Sequence, residues 1–521
     1  GFDMNVFVSA VTALLVLAFS LFTILKPNLS AEFFGNANSA INANFNWLYI
    51  FTVNASLAFL LFIGFSKFGN IRLGGYTAKP EFSDIAWFAM MFSAGIGIGI
   101  FFYGVAEPIM HLNIPEAHQS GSQFDNFKVM YLHYGVHAWA IYMIFAIGLG
   151  YFSYNKGLPF AVRSLFYPLL KERIYGIWGH VIDTIATLAV LFGLATSLGL
   201  GARQINAGLN YVFNIPNTPN VQVILIIFIT LIATVSVVSG VSKGIKWLSE
   251  ANLVITSILL IGITLIGPTV YIFSTYFSSM GVYFRDIISS GLFVAIEPND
   301  VVWQGAWTIF YLAWWIAWAP FVGTFIARIS KGRTIRQLAL GGLTLPTIVI
   351  TLSMTILGAS GVKLNELNNG AIAKAIDSDI AISLFEMFRY LTESNILQMA
   401  LSIVAVIAVM IFFVTSSDSG SLVVCSLTSS GKSTVPKIQR IFWAFLEGTI
   451  AISILLIGGE AALTTLQSAV IILGLPFSII LLIIIFSLAK ELQHSYKKYS
   501  HNQNIKLKRR LDKINKDSKF E

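Results

Sequence analysis

Charge is what this chain has least of. Only 11% of its 521 residues are Asp, Glu, Lys or Arg while 56% are hydrophobic, against roughly a quarter charged in soluble domains. That balance excludes an ordinary soluble fold and leaves an all-α polytopic membrane protein. Cysteine is nearly missing too: Cys425 stands alone in an apolar setting, so neither a disulfide framework nor a cysteine metal site is available. No GxxxxGK[ST] phosphate loop occurs, which excludes an ATP-driven pump in this chain. A channel would show a ring of pore charges or a filter repeat, and none is present. An intramembrane enzyme needs a nucleophile and base, or a metal set, and His133, His137 and Asp418 are too dispersed in sequence to make one. The net charge of +8 sits mainly in loops and the C-terminal tail, where topology explains it better than nucleic acid does.

What is abundant is apolar length. Windows of about twenty apolar residues, each enough to cross the hydrocarbon core, begin near Asn5, Phe45, Ile85, Lys128, Ile177, Val221, Asn252, Trp303, Ala339, Ile396, Ile438 and Leu463. This predicts twelve transmembrane helices. The first window is too long for a signal peptide and lacks its small-residue cleavage site. Basic loops alternate along the chain, with Lys67, Arg72 and Lys79 in one, Lys156, Arg163, Lys171 and Arg173 in the next, then Lys243 and Lys246, Arg328 to Arg336, and Lys432 with Lys437. The positive-inside rule then places both termini in the cytoplasm. The segment 276–302 alternates apolar and polar residues at helical spacing and reads as an interfacial helix with its loop. The tail, 491–521, reads as a basic solvated segment able to attract anionic lipid.

Three spans carry unusual chemistry. The stretch from Thr308 to Arg336 holds Trp314, Trp315 and Trp318 within five residues, followed by Pro320. Tryptophan in lipid-facing helices prefers the headgroup level, so this density suggests an interior cage for a cation, beside a helix broken at the proline. In the fourth span Trp139 and Tyr142 share a face, with Tyr134 one turn away. His133 and His137 read as buried, hydrogen-bonded histidines; no carboxylate lies in that stretch to complete a metal site, and proton coupling stays open. The third span contains Ser93, Gly95, Ile96, Gly97 and Gly99, a run either packed closely or unwound to expose carbonyl oxygens. Thr415 and Ser416 in the tenth span either bond back onto their own helix or join the carbonyls of Ser93 and Ile96 around a hard monovalent cation. Arg203 reads as a snorkelling end anchor. Interrupted spans five apart indicate a secondary transporter with inverted repeats.

These stretches resemble the betaine/choline/carnitine transporter family. The resemblance rests on IRLGGYTAKPEFS, MMFSAGIGIGIFFYGVAEP, HAWAIY, WTIFYLAWWIAWAPFVGTFIARISKGRTIRQ and FFVTSSDSGS, and covers nearly the whole chain. It implies a LeuT-like core of two inverted five-helix repeats (85–275 and 303–490) preceded by two extra helices (1–84), assembled as a homotrimer in the plasma membrane. It implies an aromatic box at Trp139, Tyr142 and Trp315, with Tyr134 where sodium-betaine members carry tryptophan, and Trp314 and Trp318 at further pathway positions. It implies a sodium site at Ser93, Ile96, Phe412, Thr415 and Ser416. Proton-coupled choline members tend to carry aspartate where Gly99 stands. The family's second sodium site falls on Val190, Leu194 and Phe321, so two hydroxyl ligands are missing, with Thr187, Thr196 or Ser197 as nearby substitutes.

The expected function is therefore sodium-coupled symport of a quaternary ammonium osmolyte by alternating access, not enzymatic turnover, with sodium as coupling ion and no other cofactor. Glycine betaine is the first candidate, its carboxylate meeting backbone amides at Gly95, Gly97 and Gly99. The alternatives are choline, carnitine or dimethylsulfoniopropionate, carried with protons or by sodium-independent exchange.

Overall fold

The computed structural model describes the backbone of residues 2–517 apart from 96, 112, 113, 240, 241 and 433, and side chains outside 92–96, 236–246 and 497–521. Regular structure among the described residues is helical, with one isolated antiparallel bridge between Arg72 and Thr334. Two helices, α1 (Val6–Leu25) and α2 (Pro27–Phe65), lead the chain. Asn5 caps α1 by accepting from the Val8 amide at 3.1 Å, and Pro27 opens α2 where its missing N–H costs nothing.

The glycine run then interrupts the next span. α3 (Asp84–Gly95) stops inside it, and α4 (Gly99–Tyr103) and α5 (Ala106–Met110) restart beyond. Each glycine lowers helix stability by about 1 kcal/mol relative to alanine, so a break is cheapest here. α6 (Asp125–Tyr134) and α7 (Val136–Gly150) form one span bent at Gly135. Next come the short α8 (Tyr167–Leu170), the long α9 (Ile177–Phe213), α10 (Pro219–Ser239) and α11 (Ser242–Ile266). α12 (Thr269–Gly291) covers most of the segment read as interfacial. α13 (Pro298–Gln304) runs through a π-turn into α14 (Phe310–Ile329), followed by α15 (Gly342–Leu367), α16 (Ala371–Ser378), α17 (Ser383–Leu391), α18 (Asn395–Thr428), α19 (Lys437–Leu455) and α20 (Gly459–Asp517).

By length and composition, ten helices among the described residues can cross a membrane. The sequence windows near Ile85 and Val221 fall instead on shorter apolar helices, Gly99–Met110 and Pro219–Val235. The spans containing α6–α7, α9 and α13–α14 are almost wholly buried, whereas α1 and α11 show most of their surface outward. The centre of the bundle is therefore α14, packed by α7, α9 and α20.

Two expectations are corrected. α14 continues through Pro320 instead of breaking; packing on three sides holds the axis across the lost hydrogen bond, and the interruption lies in the glycine run. Arg203 is interior to α9, not an end anchor: it pairs with Asp379 at 3.1 Å and donates to the Gly459 carbonyl at 3.0 Å. Its charge is matched inside the protein, so it has no need to reach the headgroups.

Ion pairs fix the irregular segments to this frame. Lys128, nearly buried, pairs with Asp125 at 2.9 Å and Asp286 at 3.2 Å and so ties α12 to α6. The neighbouring Arg285, then Lys128, holds the Asp286 carboxyl down at about 2. Arg163 meets Asp183 of α9 at 2.5 Å, both ends buried, while its backbone N–H donates to the same carboxylate at 2.9 Å. Breaking a buried pair by removing one partner costs about 3–5 kcal/mol. Arg163→Ala is expected to lower the thermal midpoint in detergent markedly, and an added Asp183→Leu to restore part of it; equal midpoints for wild type and Arg163→Ala would refute this.

Candidate functional site

The aromatic side chains singled out in the sequence converge. Trp315 is the hub: its ring lies 5.6 Å from Tyr134, 6.5 Å from Tyr142, 6.4 Å from Trp318 and 4.9 Å from Trp314, the last nearly parallel at 12°. Trp139 meets Tyr142 edge-on at 5.6 Å. Trp139, Tyr142, Tyr134, Trp314 and Trp318 are each 1% exposed and Trp315 is 6% exposed, so none of these rings faces lipid. The bend at Gly135 separates Tyr134 on α6 from Trp139 and Tyr142 on α7, and both helices turn rings toward α14.

Two glycines of the interrupted span make room for these rings. A Cβ on Gly97 would stand 3.0 Å from the Trp318 ring, and one on Gly99 would stand 3.4 Å from both Trp314 and the Tyr134 hydroxyl. Tyr134 also donates weakly to the Gly99 carbonyl at 3.4 Å. On the far side, a Cβ on Gly193 of α9 would fall 2.8 Å from Trp318. The indole of Trp318 is thus held between two stretches of bare backbone. Gly95 closes α3, but its surroundings, the side chain of Ser93 and all of Ile96 lie outside the described residues.

Polar groups of the cage are unevenly satisfied. The Tyr142 hydroxyl and the indole N–H groups of Trp314 and Trp318 are buried without a hydrogen-bond acceptor among the described residues. Trp315 by contrast donates to the main-chain carbonyl of His133 at 2.8 Å.

Behind Trp315 lies a cluster that sequence reasoning missed. No carboxylate neighbours His133 in the chain, yet Glu107 of α5 reaches it in space, Oε1 to Nδ1 at 2.5 Å. The same oxygen meets His111 Nε2 at 3.0 Å, and Tyr311 donates to Oε2 at 2.7 Å. His133 Nε2 shares a hydrogen bond with Thr308 at 2.9 Å. Both Glu107 and His133 are completely buried. One ligand atom from each of Glu107, His111 and His133 lies within 4.8 Å of the others, a spacing a metal ion could use. The available signal was Glu107 itself, because an acid in an apolar span is costly unless it is paired. His137 stands apart, 3.3 Å from the Asn54 side chain.

At the proposed ion site, Thr415 donates to the carbonyls of Ile411 at 2.9 Å and Phe412 at 3.2 Å, so its hydroxyl bonds back onto α18. Ser416 beside it is half-buried. The Phe412 ring lies 6.1 Å from Phe101 at the start of α4. Asp418 pairs with Arg440 of α19 at 2.6 Å. At the second-site positions, Val190 and Leu194 are fully buried and Leu194 packs against Gly420. The hydroxyls of Thr187, Thr196 and Ser197 each donate to the carbonyl four residues earlier in their own helix.

With that geometry in place, the chain matches the betaine/carnitine/choline family transporter over residues 7–497. It is 41% identical over 462 residues to glycine betaine transporter 1 of Vibrio parahaemolyticus, covering 86% of each chain. A glycine betaine/proline/choline/ectoine transporter of the same organism is 40% identical over 511 residues, 96% of this chain and 89% of the relative. The glycine betaine transporter of Acinetobacter baylyi is 40% identical over 494 residues, 94% and 73%.

The clamp on Trp318 makes a direct prediction. Overpacking a filled interior costs about 1–3 kcal/mol, so Gly193→Ala is expected to lower the thermal midpoint and alter tryptophan emission. Gly281→Ala, with nothing within 4 Å of the added carbon, is expected to leave the midpoint unchanged or raised. Indistinguishable behaviour of the two variants would show that Trp318 is free to yield.

Proposed function

The chain belongs to the betaine/carnitine/choline family of transporters, and from that premise we propose that it is a sodium-coupled symporter of a quaternary ammonium osmolyte, glycine betaine first. The observation that carries this reading is the sealed ring assembly of Tyr134, Trp139, Tyr142 and Trp315 at the centre of the bundle. A trimethylammonium group cannot donate hydrogen bonds and is poorly hydrated, so ring faces compete well with water for it. Arg and Lys are absent from this lining, which leaves the cation unopposed.

The free donors favour a substrate with an anionic end. Among the described residues Tyr142, Trp314 and Trp318 find no acceptor for their buried donor hydrogens, and a carboxylate offers two charged acceptor oxygens where choline offers one neutral hydroxyl. Backbone amides at Gly95, Gly97 and Gly99 add further donors where the span is interrupted.

Sodium is assigned to Ser93, Ile96, Phe412, Thr415 and Ser416, where the family resemblance places it; Thr415 donates its hydrogen to the Ile411 and Phe412 carbonyls and keeps its oxygen lone pairs for an ion. That site would join the broken third span to α18, so an ion there would favour the arrangement that binds substrate. Transport then follows by alternating access of two inverted repeats, within a trimer in the cell membrane. The apolar contact of Leu194 with Gly420 favours one sodium ion over two.

Trp315→Leu is expected to cost about 1–2 kcal/mol of cation–ring attraction, roughly five- to thirtyfold in Kd for glycine betaine. Direct binding to purified protein measures it, and unchanged affinity would refute the cage. Thr415→Ala is expected to abolish the sodium dependence of uptake into vesicles; uptake equal in sodium and potassium for the wild type would refute sodium coupling itself.

A further inference from the structure

We infer that Glu107, His111 and His133 form a binding site for a divalent transition-metal ion behind the substrate cage, and that zinc held there weakens binding of a quaternary ammonium group. The metal site stands on the cluster alone; its effect on substrate rests on the cage proposed above. Glu107 and His111 are four residues apart and so share one helix face, and α6 brings His133 to the same carboxylate. One ligand atom from each lies within 4.8 Å of the others, and none of the three residues is more than 1% exposed. Two imidazoles and a carboxylate suit zinc, cobalt or nickel, whereas sodium and calcium take oxygen ligands.

The cluster has room to exchange its hydrogen bonds for an ion. Glu107 Oε1 lies 2.5 Å from His133 Nδ1 and 3.0 Å from His111 Nε2. Ligands of a tetrahedral zinc stand about 3.3 Å apart, so an ion opens these contacts by about 0.8 and 0.3 Å. The displaced hydrogens have places to go. His133 Nε2 lies 2.9 Å from the Thr308 hydroxyl, which accepts as readily as it donates, so this ring can carry its hydrogen on Nε2 and turn a free lone pair on Nδ1 toward the ion. His111 Nδ1 is buried without a partner among the described residues, so no hydrogen bond at that atom fixes the ring's tautomer.

Neighbouring groups orient the ligands as the outer partners of a metal do. Tyr311 donates to the second carboxylate oxygen of Glu107 at 2.7 Å, and the rings of Trp303 and Trp307 pack on His111 at 5.4 and 4.7 Å. No Lys or Arg hydrogen-bonds to Glu107 among the described residues, so no fixed cation takes the ion's place. With a carboxylate and two neutral imidazoles as ligands, the loaded site carries one net positive charge. Tyr311 stacks on His133 at 4.8 Å and lies nearly parallel to Trp315 at 6.1 Å, and Trp315 donates to the His133 carbonyl. A positive charge this close behind the rings repels the cation they hold, so zinc and substrate weaken each other's binding by the same factor.

Metal counting on the purified full chain, freed of any affinity tag and dialysed against Zn2+ or Co2+, tests the site. Expected is one ion per chain in the wild type, with Co2+ showing the visible absorption of mixed nitrogen and oxygen ligation, and loss of both in His111→Ala. No stoichiometric ion in the wild type overturns the site, and that result needs no variant to fold. An ion retained in both His111→Ala and Glu107→Gln overturns the assignment to this cluster. Titrations with glycine betaine, with and without Zn2+, test the antagonism: expected is a Kd raised at least about fivefold by Zn2+ in the wild type and unmoved by it in His111→Ala. One bound ion with an unaltered glycine betaine Kd overturns the antagonism. Metal-free protein that fails to bind glycine betaine overturns the cage and the antagonism together, while the metal count still decides the site.

Discussion

Indole rings pressed against bare backbone are the contact on which the rest of this bundle depends. Trp314 and Trp318 can lie inside only because Gly97, Gly99 and Gly193 carry no side chain there, and the first two of these belong to the run at which the third span is interrupted. A break inside a bilayer is tolerated where the freed backbone faces protein or a wet cavity. Here the break faces aromatic rings and the hydroxyl of Tyr134. The interruption and the packing therefore share their glycines: Gly97 and Gly99, in the run where the span breaks, also admit the rings of the proposed cage.

How far the sequence displayed this can be judged residue by residue. Ring density between Trp314 and Trp318 signalled an interior site because tryptophan is out of place at mid-span facing lipid, and the rings are indeed buried. The glycine run signalled the interruption, since three helix-weakening residues lie together. Pro320 signalled a break that does not occur: propensity describes an isolated helix, and α14 is enclosed by α7, α9 and α20. Arg203 misled for the same reason, because its partner Asp379 is distant in sequence. Family resemblance was legible at once, because long motifs survive intact. Glu107 lies within such a motif, yet its cluster is hidden there, because His133 comes from another helix and no local spacing connects all three residues.

Neutrality governs the polar interior. Arg163 has Asp183, Arg203 has Asp379, Arg440 has Asp418 and Lys128 has two carboxylates. Each of these pairs lies away from the cage and fixes one element to another. Around the cage, the described side chains offer ring faces, hydroxyls and imidazoles, and the acid Glu107 is hydrogen-bonded by His111, His133 and Tyr311. A cation in the proposed cage would meet no permanent countercharge to trap it, and a carrier must release what it binds.

Leu194 and Gly420 extend the same reasoning to ion coupling. A hydroxyl at position 194 could face an ion, but leucine there fills the space left by a residue with no side chain, its methyl carbons lying where a Cβ on Gly420 would be. The change is thus compensated across the α9–α18 contact, and what the family resemblance marks as ion-binding ground is apolar packing in this chain. The nearby hydroxyls of Thr187, Thr196 and Ser197 each donate to a carbonyl of α9 itself, as Thr415 does on α18, and only their oxygen lone pairs could face an ion. On the sodium-coupled reading proposed above, coupling would rest on the oxygen set of the third span and α18. Phe412 of that set lies against Phe101 of α4, just past the glycine break, so the proposed ion would sit beside the element whose glycines make room for the rings.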